Sequence, residues 1–348
     1  MIVGVPRETA PGERRVALTP ADVKTLVAQG IPVLVEQGAG WRADFTDAAY
    51  RRAGATLLPD QTSIFATADV IAWVKPPARD LDSLPLRPGQ VLIGFQDPVH
   101  RHTRLAALAA RGVKSIAFEQ LPHRPDPGHP DPLSAMSRIA GVVAYLGARA
   151  LLPAARNPAQ VSNPAAAQHI PQPGEVSGTP PQGTAIRVLV IGAGQAGLAA
   201  VAAAVAEDGG PPTVIGNRPA QRAAALAAGA GDFHVAHTAD AVTGLIIRIQ
   251  PDLVLCAAGQ RGSAAPVLLD HAGLAALPPG AVVVDLTAKA GGNCAATVAN
   301  TTVQLANGVQ VTHRSNFPAA RPHLASRAYG AATAAQILCL AAAWRTAA

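Results

Sequence analysis

A glycine-rich turn, Gly192-Ala193-Gly194-Gln195-Ala196-Gly197, lies between two stretches of opposite character. Ahead of it, Arg187-Val188-Leu189-Val190-Ile191 has the length and branching of a strand buried on both faces. Behind it, residues 198–206 are rich in alanine and favour helix. The first glycine permits a tight turn, the second lets backbone approach a pyrophosphate, and the third lets helix and strand pack closely. The helix N-terminus then offers unpaired N–H groups and partial positive charge to phosphate oxygens. Strand, turn and helix in this order predict a dinucleotide site built from all six residues of the turn.

The same rhythm runs through the chain. Residues 33–35, 69–74, 91–95 and 114–118 are strand-like, and a helix is expected from Pro20, with Thr19 as N-cap, to Gly30. A second series starts at Arg187 and continues through 213–215, 252–257, 281–285 and 308–312. Alternating strands and helices predict an α/β protein with parallel sheets, and 348 residues suffice for two domains with separate cores. Between the two series lie a helix-like stretch, 132–152, and a Pro/Ala-rich segment, 153–184. The latter has almost no large apolar residue and is expected to be a flexible linker or surface loop. Residues 326–343 are again helical and alanine-rich.

Composition narrows the partners. Lys plus Arg number 28 against 22 Asp plus Glu, and four of the 28 are lysines. The arginines are scattered, without a basic block interleaved with aromatics, which argues against nucleic acid and for an anionic small molecule. Three distant cysteines, Cys256, Cys294 and Cys339, exclude a disulfide framework or a structural zinc site and fit a reducing compartment. His234 and His237 have no third ligand nearby, so no metal is expected. Without a signal-peptide pattern or a long apolar span, the expectation is a soluble cytoplasmic protein. The strand at 213–215 ends in Gly216-Asn217-Arg218, where a carboxylate would take the ribose hydroxyls of NAD(H). A missing negative charge and an added arginine admit a 2′-phosphate, so NADP(H) is expected in preference to NAD(H), with Asn217 and Arg218 at the ribose.

Several further motifs resemble one family. Val3-Gly4-Val5-Pro6-Arg7-Glu8, Gly12-Glu13-Arg14-Arg15-Val16-Ala17-Leu18-Thr19-Pro20 and Val35-Glu36-Gln37-Gly38-Ala39-Gly40 look like the opening of the alanine dehydrogenase/pyridine-nucleotide transhydrogenase family. Met136-Ser137-Arg138-Ile139-Ala140-Gly141 and the run from Val284 to Cys294 are similar to its later signatures. The resemblance covers nearly the whole chain apart from the linker. It implies two Rossmann-like domains, residues 1–130 plus 320–348 on the substrate side and 131–319 for the cofactor. It also implies long helices crossing between them, an active site in the cleft, and a homo-oligomer, usually a homodimer. Met136, Ser137, Ala258, Asp285 and Asn293 join the turn and Asn217–Arg218 as implied cofactor-binding residues.

The family contains two activities, and the residues are divided between them. Arg15 and Lys75 match the arginine and lysine that hold the substrate's carboxylate and keto oxygen in alanine dehydrogenases. The family's acid/base histidine is replaced by Gln96 or Asp97, and its aspartate by Lys289. Arg15 would clamp a carboxylate with two prongs, Lys75 would stabilise developing negative charge, and Asp97 would donate the proton or orient the substrate. Asp97 before Pro98 also reads as a helix N-cap. Lys289, a substrate-side residue, would favour a dianionic or neutral substrate over a zwitterionic one. The alternative is a free-standing transhydrogenase α-subunit domain that works with membrane subunits, to which Gly291-Gly292-Asn293-Cys294 is closer. A third reading is a catalytically silent nucleotide-binding protein.

Overall fold

The structure, a computed structural model, describes residues 1–78, 80–121, 131–153, 186–260 and 263–346. All but the first residue of the expected linker lies outside them. The described residues divide into two compact units, Met1–Met136 with Pro318–Ala348, and Ser137–Phe317.

In the first unit, strands β1 (Val3–Val5), β2 (Val33–Glu36), β3 (Thr56–Leu58), β4 (Val70–Ala72), β5 (Val91–Gly94) and β6 (Lys114–Ala117) form one parallel sheet in the order β3-β2-β1-β4-β5-β6. Helices α1 (Pro20–Ala28), α2 (Asp47–Arg52), α3 (Gln61–Thr67) and α4 (His102–Ala110) connect them. The helix α1 begins where the sequence predicts, with Thr19 as N-cap and Asp22 completing a capping box. Ile64, Phe65, Ile71, Trp73, Leu92 and Leu108 pack into a common core.

The helix α5 (Pro132–Arg149) leads into the second unit. Its strands are β7 (Val188–Ile191), β8 (Thr213–Gly216), β9 (Asp232–Val235), β10 (Leu253–Cys256), β11 (Val282–Asp285), β12 (Thr302–Gln304) and β13 (Gln310–Thr312). They form a sheet in the order β12-β13-β11-β10-β7-β8-β9, antiparallel only between β12 and β13. Helices α6 (Gln195–Asp208), α7 (Arg222–Ala227), α8 (Ala239–Ile249) and α9 (His271–Ala276) complete this unit. The two-residue period of the strands builds two cores. Val188, Val190, Leu253, Leu255, Val282 and Val284 join Tyr145 and Val201 on one face. Leu189, Ile191, Val254, Cys256 and Val283 join Val242, Ile246 and Leu274 on the other.

The C-terminal helix α10 (Pro322–Thr346) returns to the first unit. There Ser326 Oγ accepts from Val16 N–H at 3.0 Å, and the Tyr329 hydroxyl donates to the Trp73 carbonyl at 2.7 Å. No helix among the described residues is long and apolar enough to cross a membrane.

Candidate functional site

In each sheet the strand order reverses direction once, between β1 and β4 in the first unit and between β7 and β10 in the second. Open α/β sheets bind ligands beyond the carboxyl ends of their strands at such a switch point. The glycine turn follows β7, and Arg15 and Lys75 lie in the loops after β1 and β4, at these two places.

In the second unit the turn after β7 forms a cradle. Gly192 has φ of +115°, and a Cβ there would lie 2.5 Å from the Ala257 carbonyl beyond β10. A Cβ on Gly197 would come within 1.8 Å of the Gly192 carbonyl oxygen. Both positions therefore exclude any other residue. Gly194 differs, because a Cβ there meets nothing within 4 Å. It is the N-cap of the 14-residue helix α6, which has no side-chain cap. Gly194 thus presents open space directly before helix N–H groups, the arrangement that admits a pyrophosphate. Ala193 is buried, while the Gln195 side chain accepts from Arg138 Nη1 at 2.8 Å. The residues present fit a dinucleotide.

Around this cradle the structure shows what two of the expected residues touch. Asp285, fully buried at the end of β11, accepts from the backbone N–H groups of Thr287, Asn293 and Cys294 and from the hydroxyls of Thr287 and Thr297. Asn293 is equally buried. Its Oδ1 accepts from Ala258 N–H at 2.8 Å, and its Nδ2 donates to the carbonyls of Ala258 and Pro266. These side chains are engaged within the protein and act by fixing the loop at Ala258 beside the cradle. Lys289 is exposed on a short 3₁₀ turn, Ala288–Ala290. Cys256 and Cys294 are buried, and burial pushes both thiols up, away from nucleophilic thiolates.

The first unit holds a charged cluster that sequence reasoning reached only in part. Glu13 is fully buried, and its carboxylate accepts from Arg15 Nε and Nη2 at 2.7 Å each and from the Arg14 and Arg15 backbone. Lys75 Nζ lies 3.6 Å from the same carboxylate. Burial alone would raise the Glu13 pKa, but the hydrogen bonds and charge of Arg15, with the charge of Lys75, bring it down to about 2. The expected two-pronged grip of Arg15 on a substrate is thereby corrected. Its Nε–Nη2 edge already holds Glu13, and Nη1 lies against the Met136 sulfur at 3.1 Å. Met136, expected at the cofactor, belongs to this cluster, and Ser137 beside it is half-buried.

Glu8 underlies the cluster. Its oxygens accept from the backbone of Val74 and Lys75 at 2.6 and 3.1 Å, tying the loop after β1 to the loop after β4. Burial, reinforced by the charge of Glu13, pushes its pKa up to about 8 against those two bonds. A carboxyl raised in the folded state is protonated there while already ionised in the unfolded chain between about pH 4.5 and 8. Its contribution to stability is therefore full below pH 4.5 and declines as pH rises to 8. Urea titrations of Glu8→Gln should show a flatter stability profile than wild type over this interval; parallel profiles would contradict the raised pKa.

After β5, Gln96 is buried and its backbone N–H, like that of Asp97, donates to the Glu119 carboxylate. Asp97 has a positive φ of 54°, and its Oδ1 bonds His100 Nδ1 at 2.8 Å. It is not a helix N-cap, because α4 starts at His102 with Arg101 as its N-cap. The family resemblance that singled out Arg15 and Lys75 left Glu8 and Glu13 without a role, although an acidic residue two positions before Arg15 was the available signal. Glu119 and Tyr329 are remote in sequence, and no local pattern could have joined them.

Two α/β units of this kind, one carrying a glycine turn at a helix N-terminus, have the architecture of Rossmann-type folds. Two family models match the chain, alanine dehydrogenase/PNT N-terminal domain over residues 4–140 and alanine dehydrogenase/PNT C-terminal domain over 159–347. The chain belongs to this family of oxidoreductases, which use nicotinamide cofactors. It is 31% identical to NAD(P) transhydrogenase subunit alpha of Cereibacter sphaeroides over 94% of its length, spanning 63% of that relative. It is also 31% identical to alanine dehydrogenase 2 of Staphylococcus aureus, covering 98% of this chain and 87% of the relative. Among solved structures, the transhydrogenase from Sinorhizobium meliloti superposes with a TM-score of 0.80 at 28% identity, over 97% of this chain and 92% of that one. An L-alanine dehydrogenase gives the same TM-score at 24% identity over 98% and 90%, a likeness of fold.

Proposed function

We propose that the chain is an NAD(P)H-dependent oxidoreductase, preferring NADP(H), that moves hydride between a nicotinamide and a small keto, imino or amino acid. The observation that carries this reading is the Glu13–Arg15–Lys75 cluster at the switch point of the first sheet. Two cations gathered by one buried carboxylate suit a substrate whose carbonyl bears a carboxylate. A protein passing hydride only between two nucleotides has no substrate carboxylate for these cations to meet, which leaves them the structural role of neutralising Glu13.

A bound nicotinamide would supply or accept the hydride, and the turn Gly192–Gly197 would hold its dinucleotide. Arg15, fixed by Glu13, contributes its positive charge to the surroundings of the substrate carboxylate. Lys75, whose side chain is 31% exposed, stabilises negative charge on the substrate oxygen or nitrogen. Asp97, bonded to His100, donates or orients the proton. Gln96 holds the loop on which Asp97 sits. Lys289 sets a preference for dianionic or neutral substrates. The active form is a homo-oligomer, as the family resemblance suggests.

The transhydrogenase reading keeps one specific support, the Gly291-Gly292-Asn293-Cys294 run together with the similarity to transhydrogenase alpha subunits. In that reading the chain works beside membrane subunits. Spectrophotometry separates the readings. NADPH oxidation that depends on an added keto or imino acid supports the first. Reduction of a nicotinamide analogue by NADPH alone supports the second, and tight binding without turnover leaves a silent nucleotide-binding protein. Lys289→Asp is expected to gain activity with alanine, or with pyruvate and ammonium, by at least about tenfold. An unchanged rate would remove Lys289 from the substrate site.

A further inference from the structure

The strand β8 ends at Gly216, where a Cβ would meet Gln221 Oε1 and the Phe233 ring, each at 2.6 Å. Gln221 reaches this place because its Oε1 accepts the backbone N–H groups of Asn217 at 3.0 Å and Arg218 at 3.2 Å. A neutral amide therefore lies over the end of the strand, where a carboxylate would bind ribose hydroxyls and repel a phosphate. Its Nε2 meets no acceptor among the described residues. On either side of Gln221 stand two arginines, four residues apart, where the 3₁₀ turn Pro219–Gln221 passes into α7. Arg218 is the extended N-cap residue of that turn and Arg222 the first residue of α7, so the two guanidiniums flank the same short turn. Both arginines are exposed. Arg222 Nη1 makes one long bond, 3.3 Å, to the Phe233 carbonyl. Asp232, a carboxylate that feels the charge of Arg222, is held by His234 Nε2 at 2.8 Å.

We propose that Arg222 completes, with Arg218, a subsite for a ribose 2′-phosphate, and that Gln221 is its positioning residue. This assignment rests on the NADP(H) reading above and extends it from one arginine to a three-residue device. A phosphate monoester carries about two negative charges near neutral pH and presents three acceptor oxygens. Two guanidiniums can meet it with charge-assisted hydrogen bonds. Gln221 contributes the amide Nε2 and holds the turn from which Arg218 projects. A glutamate at 221 would accept the same backbone N–H groups while setting a negative charge against the phosphate.

Calorimetry with 2′,5′-ADP and 5′-AMP tests the subsite without requiring turnover, because the two nucleotides differ only in the phosphate at issue. Wild type is expected to bind 2′,5′-ADP more tightly. Arg222→Ala should reduce that preference about tenfold or more with 5′-AMP affinity kept within about twofold, and Gln221→Glu should abolish or reverse it, with 5′-AMP affinity retained or raised. Arg222→Lys retains the charge and should keep part of the preference, which covers the case in which alanine disturbs α7. Equal binding of the two nucleotides by wild type overturns the NADP(H) reading and the subsite together. A wild-type preference that survives both Arg222→Ala and Gln221→Glu overturns the subsite alone and leaves Arg218 to carry the selectivity.

Discussion

Alanine at Gly194 should leave the fold in place and remove most of the affinity for NADPH. A Cβ there meets nothing within 4 Å, and the backbone φ of −91° suits any residue. The cost to folding is the weaker N-cap preference of alanine, about 1 kcal/mol or less. The cost to binding is larger, because the added methyl occupies the side from which a pyrophosphate approaches. Overpacking of this kind costs about 1–3 kcal/mol, or roughly ten- to a hundredfold in affinity. Gly197→Ala provides the contrast. Its Cβ would stand 1.8 Å from the Gly192 carbonyl oxygen, so strand and helix must separate and the second unit loses stability along with binding. Thermal unfolding and calorimetry on both variants distinguish the two. If Gly194→Ala bound NADPH as wild type does, the cradle would not be the phosphate site.

Removing the Glu13 carboxylate should be the most destabilising single change in the first unit. Glu13→Gln leaves Arg15, only 3% exposed, without its counter-charge. Breaking a buried ion pair in this way costs about 3–5 kcal/mol. Arg15→Met paired with Glu13→Leu is expected to recover much of that loss, since apolar replacements relieve the desolvation of both charges. Substrate-dependent NADPH oxidation should not return in the double variant, which separates stability from chemistry. The pH dependence follows the same pair. With its pKa at about 2 in the folded protein against 4.5 ordinarily, Glu13 contributes stability that is complete above pH 4.5 and lost as pH falls to 2. Urea unfolding of Glu13→Gln with a stability within about 1 kcal/mol of wild type would refute this account of the cluster.

Much of the fold was readable along the chain because strand and helix periodicities are local. The runs at 33–35, 91–95, 114–118 and 281–285 each fall on a strand, shifted by at most one residue at either end. The strands β1, β3, β9 and β12 were not anticipated. The last three lie at sheet edges, where exposed residues such as Thr56, Asp232 and Thr302 break the apolar pattern, whereas β1 is central but only three residues long with Gly4 in its middle. The start of α4 was misplaced for a different reason. Asp97 and Pro98 have the composition of a helix entry, but the Glu119 carboxylate draws the N–H groups of Gln96 and Asp97, and Asp97 takes a left-handed conformation. The helix begins only at His102.

The cradle was legible because everything it needs is contiguous: strand, three glycines and helix follow one another, and each glycine answers a local steric demand. Arg218 and the missing carboxylate beside it were legible for the same reason. The charged cluster was not. Whether Arg15 faces a substrate or a buried glutamate depends on which oxygen comes within 3 Å of its guanidinium, and Met136, Lys75 and Tyr329 reach that neighbourhood from three separate stretches of chain. Local order specifies which elements form and where a phosphate can rest. Which charges neutralise one another is fixed only when distant loops converge at the ends of the strands, because electrostatic partnership depends on distance and burial, and neither is written in residue spacing.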